Sequence, residues 1–467
     1  MNISRISDRP DSGAPGRVIV VGAGLAGLTA AVYLRDARWE VLVLEARGRV
    51  GGRVHTLYGG DEGVPLDRGF RADVGGESID DTHTALRRMV TRFGLETELR
   101  PGSTIDRVMS GRFHYRDNSY TFGELTALRN GAALTDYLRV YEELERLAES
   151  HQIDPDHPQA ATAAAELDQQ SFSAWLDSLQ LVPEARFIAE QANTSLYNAQ
   201  LTDLSMLFVL QQTAVSAGTL DSQHETMRIA GGNALLPRAI AAELGTALIV
   251  DAPVTSVRRV GDVIGVTARE LEYFGAHVVL AAPPPPLRNV QFDPPLPEPI
   301  AAAIAGLDLG GATKVVNQFN TPFWREAGQS GFSMSDLTYR ISWDAADSYD
   351  APGGLLTTFT TADNGRELAA LAPPHRNVRV REQLATVFPE SPAQLAGPAV
   401  TVAWSAEHFT GGGYAVYKPN QLSAYWEPLR TGTDRIHFAG EHTESLAGYM
   451  ESAVRSGMRA AAHVGIR

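Results

Sequence analysis

The first clear pattern along the chain is an unbroken apolar run from Val18 to Val21, which is followed at once by the glycine-rich turn GAGLAG. A run of this kind is typical of a strand buried on both faces of a parallel sheet. Helix-forming residues continue to Asp36, and the apolar segment EVLVLE then predicts a second strand. The pattern therefore predicts a strand, a turn, a helix and a second strand within residues 17–45.

The middle of the chain changes from a helical to a strand-rich pattern. Residues 90–225 have the spacing of amphipathic helices, most clearly in DYLRVYEELERLAES. A glycine turn and a helix follow in RIAGGNALLPRAIAAELG, and the short apolar runs of ALIVDAPVTSVRRVGDVIGVTA predict strands and hairpins. The segment AHVVLAAPPPPL predicts another buried strand, and its four prolines end helix and strand alike.

The last part of the chain mixes strands and helices. The runs TKVVNQF and GLLTTFT predict strands, and residues 376–388 predict a helix. The first of these strands alternates, and Lys314 is a lone charge on it that must be paired or solvated. The closing segment predicts a strand, a loop and a long helix with small residues throughout, and no internal repeat occurs.

Composition places the chain among ordinary soluble proteins. At 467 residues it exceeds one ordinary domain, so two or three lobes with a well-buried core are expected. Hydrophobic residues make up 44% and charged residues 20%, which excludes a disordered or fibrous class. With 40 basic and 55 acidic residues the formal charge is -15, which opposes binding to nucleic acid or anionic lipid and attracts a cationic substrate. An acidic surface that serves solubility alone explains the same charge.

The chain has no cysteine, so disulfides, thiolate metal sites and a cysteinyl link to a cofactor are excluded. Its 12 histidines show no HxxxH or HExxH spacing, and we expect no metal site. Residues 1–15 are polar, lack the apolar core of a signal peptide and are predicted to be a disordered lead-in. No stretch approaches the roughly 18 apolar residues of a membrane span, so a cytoplasmic protein is expected.

The turn GAGLAG carries three glycines with different roles at a nucleotide site. Gly22 allows the tight turn, Gly24 lets the backbone approach a pyrophosphate, and Gly27 lets the helix pack closely on the strand. The phosphates then lie at the amino terminus of the helix, where unpaired N–H groups favour negative charge. Glu45 follows 18 residues after Gly27, where a carboxylate accepts hydrogen bonds from the ribose hydroxyls of an adenosine. At this point the motif is compatible with both NAD and FAD.

The continuation EARGRVGGRV distinguishes the two cofactors by resemblance. A second glycine pair with Arg47 and Arg53, directly after the ribose acid, resembles the FAD-binding members of the glutathione-reductase-like superfamily. In those proteins the arginine and the glycine backbone continue along the pyrophosphate towards the flavin. Nicotinamide dehydrogenases lack this continuation, so the resemblance implies FAD.

The order of these pieces resembles the flavin-containing amine oxidase family, which includes monoamine oxidases, polyamine oxidases and L-amino-acid oxidases. The resemblance extends from Arg17 to the end of the chain and is least specific near residues 90–225. It implies an α/β (α+β) fold in which a glutathione-reductase-like Rossmann domain for FAD is interleaved with a substrate domain of mixed sheet and helices. The implied FAD segments are residues 16–90, 226–292 and 398–467, and the implied substrate segments are residues 91–225 and 293–397.

Three residues match the positions at which the family carries its chemistry. Lys314, in TKV, matches a lysine that the family bridges through water to flavin N5, which implies a role in reoxidation by oxygen. Tyr414 and Tyr449 match two tyrosines that face each other in front of the flavin, where their rings favour an amine and steer its C–N bond. Gly413 stands where monoamine oxidases carry the cysteine linked to the flavin, so the FAD is expected to be noncovalent.

The cofactor-binding residues implied by the resemblance come from all three FAD segments. Glu441 is expected to bond the ribityl or pyrophosphate region, Val254 to clamp the adenine through its backbone, and the last helix to point its amino terminus at the flavin. The implied set is Gly22, Gly24, Leu25, Ala26, Gly27, Glu45, Ala46, Arg47, Gly52, Arg53, Gly75, Gly76, Glu77, Val254, Gly440, Glu441, Gly448, Tyr449, Met450 and Ala453.

The substrate pocket departs from L-amino-acid oxidases of the venom type, which carry Gly-Pro-Met-Arg where this chain has GGES. The arginine that grips a substrate carboxylate there is missing here. Glu77 is a candidate to hold a substrate ammonium or act as a base, with a structural pairing to Arg53 as the alternative. Arg340 is a candidate for the carboxylate grip, with an exposed strand arginine as the alternative. The predicted catalytic set is Lys314, Tyr414, Tyr449 and Glu77, and the predicted substrate-binding set is Glu77, Tyr197, Arg340, Tyr414 and Tyr449.

These residues predict a FAD-dependent amine oxidase that transfers hydride from the carbon of a C–N bond to the flavin, leaving an imine, while oxygen regenerates the flavin and gives hydrogen peroxide. The substrate stays open among amines, amino acids and amine or amide groups of biosynthetic intermediates, as in lankacidin-type tailoring oxidases. A noncatalytic flavoprotein that binds a partner is the alternative from a different class, and a desaturase or isomerase of the same fold is a third. The joint presence of Lys314, Tyr414 and Tyr449 opposes the noncatalytic alternative. The expected partners are a small-molecule amine and oxygen, with a homodimer as one open assembly.

Overall fold

The computed structural model describes residues 16–216 and 225–465. The predicted lead-in, residues 1–15, lies outside them, as do residues 217–224 near the end of the predicted helical region. Helices, parallel sheet and antiparallel sheet all occur, so the predicted mixed α and β class is confirmed. Within these ranges no helix is both long and apolar enough to cross a bilayer.

Five strands form the sheet that carries the glycine-rich turn, here called the parallel sheet. Their order is Ile436–Phe438, His277–Leu280, Arg17–Val21, Glu40–Leu44 and Leu248–Ile249, and every neighbouring pair is parallel. The strand His277–Leu280 is buried at every position, which explains its unbroken apolar run. Because the carboxyl ends of parallel strands open at one edge, this edge is where a ligand is expected.

The first and last helices of the chain pack against each other beside this sheet. The first, Leu25–Asp36, is buried along most of its length. The last, Met450–Gly465, crosses it so closely that a Cβ atom on Gly457 would lie 2.3 Å from the carbonyl oxygen of Ala26. The small residues predicted in the last helix therefore let the two backbones approach.

A four-stranded sheet contains the predicted hairpins of the middle region. Its order is Leu271–Gly275, Val263–Ala268, Val254–Val260 and Gln291–Asp293, with the last pair parallel and the others antiparallel. The prolines that end the strand His277–Leu280 also begin a short helix, Pro284–Leu287, which the sequence did not predict. Proline is tolerated in a first helical turn because its missing N–H would have no helical partner there.

Seven strands form a second large sheet, here called the seven-stranded sheet. Their order is Val400–Ala403, Ala312–Phe319, Gly354–Thr361, Ile341–Asp344, Ser333–Ser335, Arg112–Tyr115 and Asn118–Thr121. The predicted alternation of the strand that holds Lys314 is wrong, because every position of Ala312–Phe319 is buried. Val315 packs into one apolar cluster with Leu384, and Val316 packs into another with Phe70, so both faces of the sheet are covered. Val400–Ala403 joins this sheet although it follows the predicted domain boundary at residue 398.

The region of residues 90–216 is largely helical, as predicted. Its helices are Thr104–Met109, Phe122–Ala127, Ala132–Ser150, Ala164–Gln169, Phe172–Ser178, Pro183–Tyr197 and Met206–Ser216. The sequence pattern missed the hairpin between Arg112–Tyr115 and Asn118–Thr121, whose turn residues Arg116 and Asp117 both have positive φ. Four-residue strands are too short to show a clear period of two, so tertiary pairing decides them.

The remaining elements connect these sheets. The other helices are Thr84–Arg92, Leu235–Leu244, Glu298–Gly306, Phe323–Glu326, Ala362–Ala370, Pro373–Val387, Ser391–Gln394 and Leu422–Thr431. Three two-stranded sheets pair Thr56–Tyr58 with Arg71–Asp73, Thr97–Leu99 with Met227–Ile229, and Asp308–Leu309 with Ala415–Val416.

Candidate active site

Two adjoining cavities lie at the edge of the parallel sheet and on the seven-stranded sheet. The first, of about 300 Å³, is lined by Val21, Leu44 and Ala281 at the carboxyl ends of parallel strands, and is here called the nucleotide cavity. The second, of about 320 Å³, is lined by Lys314, Ile341 and Phe359 of the seven-stranded sheet, and is here called the inner cavity. Five residues line both cavities, namely Gly76, Tyr414, Gly448, Tyr449 and Met450. A ligand that fills the nucleotide cavity would therefore border the inner one.

The glycine-rich turn forms one wall of the nucleotide cavity. Gly22 has a φ of +104°, and a Cβ atom on Gly27 would lie 2.0 Å from the carbonyl oxygen of Gly22. Nothing lies within 4 Å of the position that a Cβ atom on Gly24 would take, so this backbone is open to the cavity. A pyrophosphate fits this open face, next to the unpaired N–H groups at the start of the helix Leu25–Asp36.

Glu45 follows the second strand and is only 4% exposed. Its Oε2 accepts a hydrogen bond from the backbone N–H of Ala23 at 2.7 Å, and its Oε1 accepts one from the N–H of Arg47 at 2.9 Å. These bonds fix the carboxylate on the wall of the nucleotide cavity and leave a further lone pair on each oxygen. The arrangement suits hydrogen bonds from two ribose hydroxyls.

Arg53 and Glu441 form another part of the wall of the nucleotide cavity. Arg53 donates to Oε1 of Glu441 at 2.7 Å and to the carbonyl oxygen of Gly413 at 2.5 Å. Glu441 also accepts from the backbone N–H groups of Ala415 at 3.2 Å and Gly448 at 2.8 Å. Glu441 thus joins three segments of the chain, and both of its oxygens already accept hydrogen bonds from the protein.

The nucleotide cavity is lined by every member of the predicted cofactor-binding set except Gly27, Gly75 and Glu77. Gly27 packs against Gly22, whereas Gly75 and Glu77 line the inner cavity. Sequence reasoning missed Ala252, Pro253, Thr255, Ala281, Ala282, Pro283, Asn289, His408, Phe409 and Thr410, which also line the nucleotide cavity. A signal existed for residues 281–283, because they follow a buried strand and the carboxyl ends of parallel strands meet at the ligand edge.

Lys314 lies on a central strand of the seven-stranded sheet and is 5% exposed. Its Nζ donates to Oε2 of Glu77 and to the carbonyl oxygen of Gly75, both at 3.0 Å. The ammonium also lies 4.9 Å from the centroid of the Trp343 ring. The charge is therefore paired, as the sequence required, and it is fixed on the wall of the inner cavity.

Glu77 is the counter-charge of two buried cations. Besides Lys314 at Oε2, its Oε1 accepts from Arg228 at 2.5 Å and from Nε1 of Trp343 at 2.8 Å. Burial alone would raise the pKa of this carboxyl, but the charges of Lys314 and Arg228 lower the pKa of Glu77 to about 2. The predicted alternative, a pairing of Glu77 with Arg53, is wrong because Arg53 pairs with Glu441.

Tyr414 and Tyr449 each line both cavities, where the two cavities meet. The Cγ atom of Tyr414 is 3.0 Å from the position that a Cβ atom on Gly448 would take. The Tyr449 ring packs edge-on against His83 with a centroid distance of 5.3 Å. Burial raises the pKa of both phenols, so both rings are neutral across the physiological range.

Gly413 has no space for a side chain. A Cβ atom there would lie 2.2 Å from Nδ2 of Asn198 and 2.9 Å from the Cβ atom of Ala312. Because its carbonyl oxygen also accepts the hydrogen bond from Arg53, the backbone is held in place. A side chain at this position would have to displace the Asn198 amide and the Ala312 methyl group.

Two predicted substrate-binding residues line neither cavity. The Tyr197 ring packs against Phe208 with a centroid distance of 5.7 Å, and the preceding residue, Leu196, lines the inner cavity instead. Arg340 is 7% exposed and donates from Nη1 to Oε1 of Gln191 at 2.5 Å. Arg340 is therefore buried, which contradicts the predicted alternative of an exposed strand arginine.

The inner cavity also has walls that sequence reasoning missed. Its aromatic walls are Phe113, Phe122, Tyr137, Phe332, Trp343 and Phe359. Its further charged residues are Arg100, Arg107 and Glu225. These side chains come from segments that are far apart in sequence, so no local motif could have identified them.

Comparisons with known proteins agree with this geometry. A sequence profile for flavin containing amine oxidoreductases matches residues 25–465. The AofH protein of Mycobacterium tuberculosis, which is named after the flavin-containing monoamine oxidases, is 31% identical over 457 residues, covering 96% of each chain. An L-amino acid dehydrogenase of Synechocystis is 26% identical over 454 residues, covering 95% of this chain and 93% of its own. The structure of a putrescine oxidase bound to putrescine superposes with a TM-score of 0.85 at 26% identity, covering 97% of this chain and 99% of its own.

Proposed function

We propose, because the chain belongs to the flavin-containing amine oxidoreductase family, that it binds FAD without a covalent link and oxidises the C–N bond of a small amine. The observation that carries the proposal is the junction of the two cavities at Tyr414 and Tyr449. On one side lie the open glycine turn and Glu45 of a dinucleotide site. On the other lies a largely aromatic cavity whose size suits a small ligand.

Bound FAD supplies the acceptor for a hydride from the carbon that carries the amine nitrogen. The chain's own residues hold the amine, because the neutral rings of Tyr414 and Tyr449 border the space in which the C–N bond would lie. Trp343 and Phe359 exclude water from the same space. The expected products are an imine, which water hydrolyses, and hydrogen peroxide from oxygen.

Lys314 supports the half of the reaction in which oxygen takes up the electrons. Its ammonium is held at the wall of the inner cavity by Glu77 and Gly75, and the next residue, Gly76, lines both cavities. A fixed positive charge stabilises the negative charge that develops on oxygen. Lys314 is therefore assigned to reoxidation and not to the removal of hydride.

Two observations support a noncovalent link. The chain contains no cysteine, and Gly413 has no space for any side chain. The cofactor would instead be held by the glycine-rich turn, by Glu45 and by the segment around Gly448. Such a cofactor is released intact when the protein unfolds.

The proposal specifies the substrate only as a small amine. The names of the relatives include a monoamine oxidase, an L-amino acid dehydrogenase and a putrescine oxidase. A small amine is the description common to these substrates. A homodimer is compatible with the proposal, which does not depend on the assembly state.

The test uses the purified yellow protein and two measurements. Acid precipitation is expected to leave all FAD in the supernatant, and a panel of primary amines, diamines and amino acids is expected to give peroxide with at least one member. Tyr414→Phe, which keeps the ring, should retain most of the turnover, whereas Tyr414→Ala should lose most of it. Flavin that stays on the precipitated chain would disprove the noncovalent link, and a flavoprotein that no member of the panel reduces would disprove amine oxidation.

A further inference from the structure

The inner cavity carries more charge than amine oxidation requires. Lys314, Arg100 and Arg107 line it as cations, and Glu77 and Glu225 line it as carboxylates. The ion-pair partners behind this wall are Arg228 and Asp347. Together these residues contribute four positive and three negative formal charges.

Three of the four cations have a carboxylate partner. Lys314 lies 3.0 Å from Glu77, and Arg228 lies 2.5 Å from the same carboxylate. Arg100 lies 2.9 Å from Asp347. Each of these three cations is therefore ion-paired within the protein, and together they share two carboxylates.

Arg107 is the exception among the cations of the inner cavity. It is 9% exposed, on the helix Thr104–Met109, and none of the carboxylates in residues 16–216 and 225–465 lies within 4.0 Å of its guanidinium. Its Nη1 donates to the carbonyl oxygen of Gly102 at 3.0 Å. Its Nη2 donates to Oγ1 of Thr104 at 3.0 Å and to the carbonyl oxygen of Glu225 at 3.1 Å. Three of its five N–H groups are thus bound to neutral oxygens.

A buried guanidinium without an ion-pair partner is suited to bind an anion. Burial and the like charge of Arg100 lower the pKa of Arg107 to about 10, although the carboxylates of Glu225 and Asp347 act in the opposite direction, and the group stays protonated at neutral pH. A buried charge without a carboxylate in direct contact is costly, and an incoming carboxylate reduces that cost while accepting charge-assisted hydrogen bonds. The cavity wall therefore favours a ligand that brings a negative charge to Arg107.

Glu225 lies near Arg107 but does not neutralise it through an ion pair. Arg107 reaches the backbone oxygen of Glu225, and the carboxylate of Glu225 forms no ion pair or hydrogen bond within residues 16–216 and 225–465. Burial and then the negative charge of Glu225 raise the pKa of the phenols of Tyr414 and Tyr449. The inner cavity is thus lined by the carboxylate of Glu225 and the guanidinium of Arg107, together with both tyrosines.

We propose that Arg107 binds the carboxylate of the substrate, so that the amine oxidised in the inner cavity is an amino acid. This inference rests on the proposed function, because it names the substrate class of the same site. It predicts a zwitterion, whose ammonium lies towards Glu225 and the tyrosines.

The test compares matched pairs of substrates on the holoenzyme. The pairs are L-phenylalanine with 2-phenylethylamine, L-leucine with 3-methylbutylamine, and 4-aminobutanoate with butylamine, with kcat/KM measured by peroxide release. In at least one pair the amino acid is expected to be the better substrate. If the plain amine is equal or better in every pair, the inference fails while amine oxidation stands, and if no member of any pair reduces the flavin, the proposed function itself fails.

Variants of Arg107 then test whether this residue causes the preference for the amino acid. Arg107→Met should lower kcat/KM for the preferred amino acid by about 10-fold to 150-fold, as when a charge-assisted hydrogen bond is lost, and should affect its matched amine far less. Arg107→Gln, which keeps a donor for Gly102, is the second variant if Arg107→Met holds less flavin. Arg376→Met is the control, because Arg376 also donates to two backbone carbonyls and lines neither cavity. Equal losses for both members of a pair in both Arg107 variants would overturn the assignment.

Discussion

A single carboxylate, Glu77, joins two buried strands of different sheets. It pairs with Lys314 on the strand Ala312–Phe319 and with Arg228 on the strand Met227–Ile229. The nearer of these two partners in the sequence, Arg228, is 151 residues from Glu77, so the pairing exists only in the folded chain. Without Glu77, Lys314 would lose its carboxylate partner in the protein interior. Arg228 would keep one carboxylate, Asp347, at 3.3 Å.

Glu77→Gln is therefore expected to lower the free energy of unfolding by about 3–5 kcal/mol, the loss typical of a broken buried ion pair. Urea titration followed by tryptophan fluorescence measures this change. Glu40→Gln is the control, because Glu40 pairs with Arg17 at the surface and such pairs contribute about 0–1 kcal/mol. Equal stability of the two variants would show that Glu77 is not a structural counter-charge.

Asp73 gives a pH dependence that the sequence did not indicate. Burial and the negative charge of Glu77 raise the pKa of Asp73 to about 6, although the hydrogen bond from Thr56 acts in the opposite direction. A group whose pKa is raised in the folded state stabilises the fold below its unfolded pKa, and this contribution is lost as the pH rises through the folded value. The loss should thus occur between about pH 4 and pH 6.

Asp73→Asn removes this titration. The thermal midpoint of Asp73→Asn minus that of the natural protein should increase by about 3 °C between pH 4.5 and pH 7.5. In a chain of this size, a pKa shift of about two units changes the midpoint by about this amount. Thermal unfolding of the two proteins at both pH values measures the difference. A difference that does not change with pH would assign the titration to another group.

Glu45→Ala should weaken FAD binding by about 1.5–3 kcal/mol, because charge-assisted hydrogen bonds to the ribose would be lost. Binding to the apoprotein is measured through quenching of flavin fluorescence. Glu45→Gln is the matched variant, since it keeps an acceptor oxygen without the charge, and its loss should be smaller. Unchanged affinity in Glu45→Ala would remove this carboxylate from the ribose.

At the scale of elements, local features were predictable and long-range ones were not. The strand, turn and helix around Gly22, Gly24 and Gly27 are encoded within 20 residues, so pattern and turn chemistry identify them. The partners of Glu77 and the charged wall at Arg107 depend on pairings across more than 100 residues, which no local pattern records. The hairpin that contains Arg112 was missed because its strands are only four residues long, and its first strand also pairs with the distant strand Ser333–Ser335.

Two glycines of the same turn should respond differently to substitution. Gly27→Ala should lower both the thermal stability of the apoprotein and its affinity for FAD, because the added methyl would lie 2.0 Å from a backbone oxygen. Gly24→Ala should leave the apoprotein nearly as stable, because nothing lies within 4 Å of the added atom, while affinity for FAD falls. Thermal unfolding and FAD titration of both variants give the comparison. If Gly24→Ala binds FAD normally, the pyrophosphate does not approach that backbone.

At the scale of the whole molecule, the two halves of the reaction are assigned to different parts of the fold. Lys314 belongs to the seven-stranded sheet, whereas the glycine-rich turn belongs to the parallel sheet. Lys314→Met should slow the reaction of the reduced protein with oxygen by about tenfold or more, because a fixed charge is lost, and should slow anaerobic reduction much less. Stopped-flow measurements of each half separate the two effects. The reverse order of sensitivity would place Lys314 in hydride removal.

The most direct test of the account is an anaerobic titration of the yellow holoprotein with 2-phenylethylamine, putrescine and L-phenylalanine. We predict that at least one of them bleaches the visible absorbance of the oxidised flavin, and that admitting oxygen restores the absorbance with the release of one peroxide per flavin. This result would show that the inner cavity delivers an amine to a flavin in the nucleotide cavity. A protein that carries flavin but keeps its full absorbance with all three compounds would contradict the account.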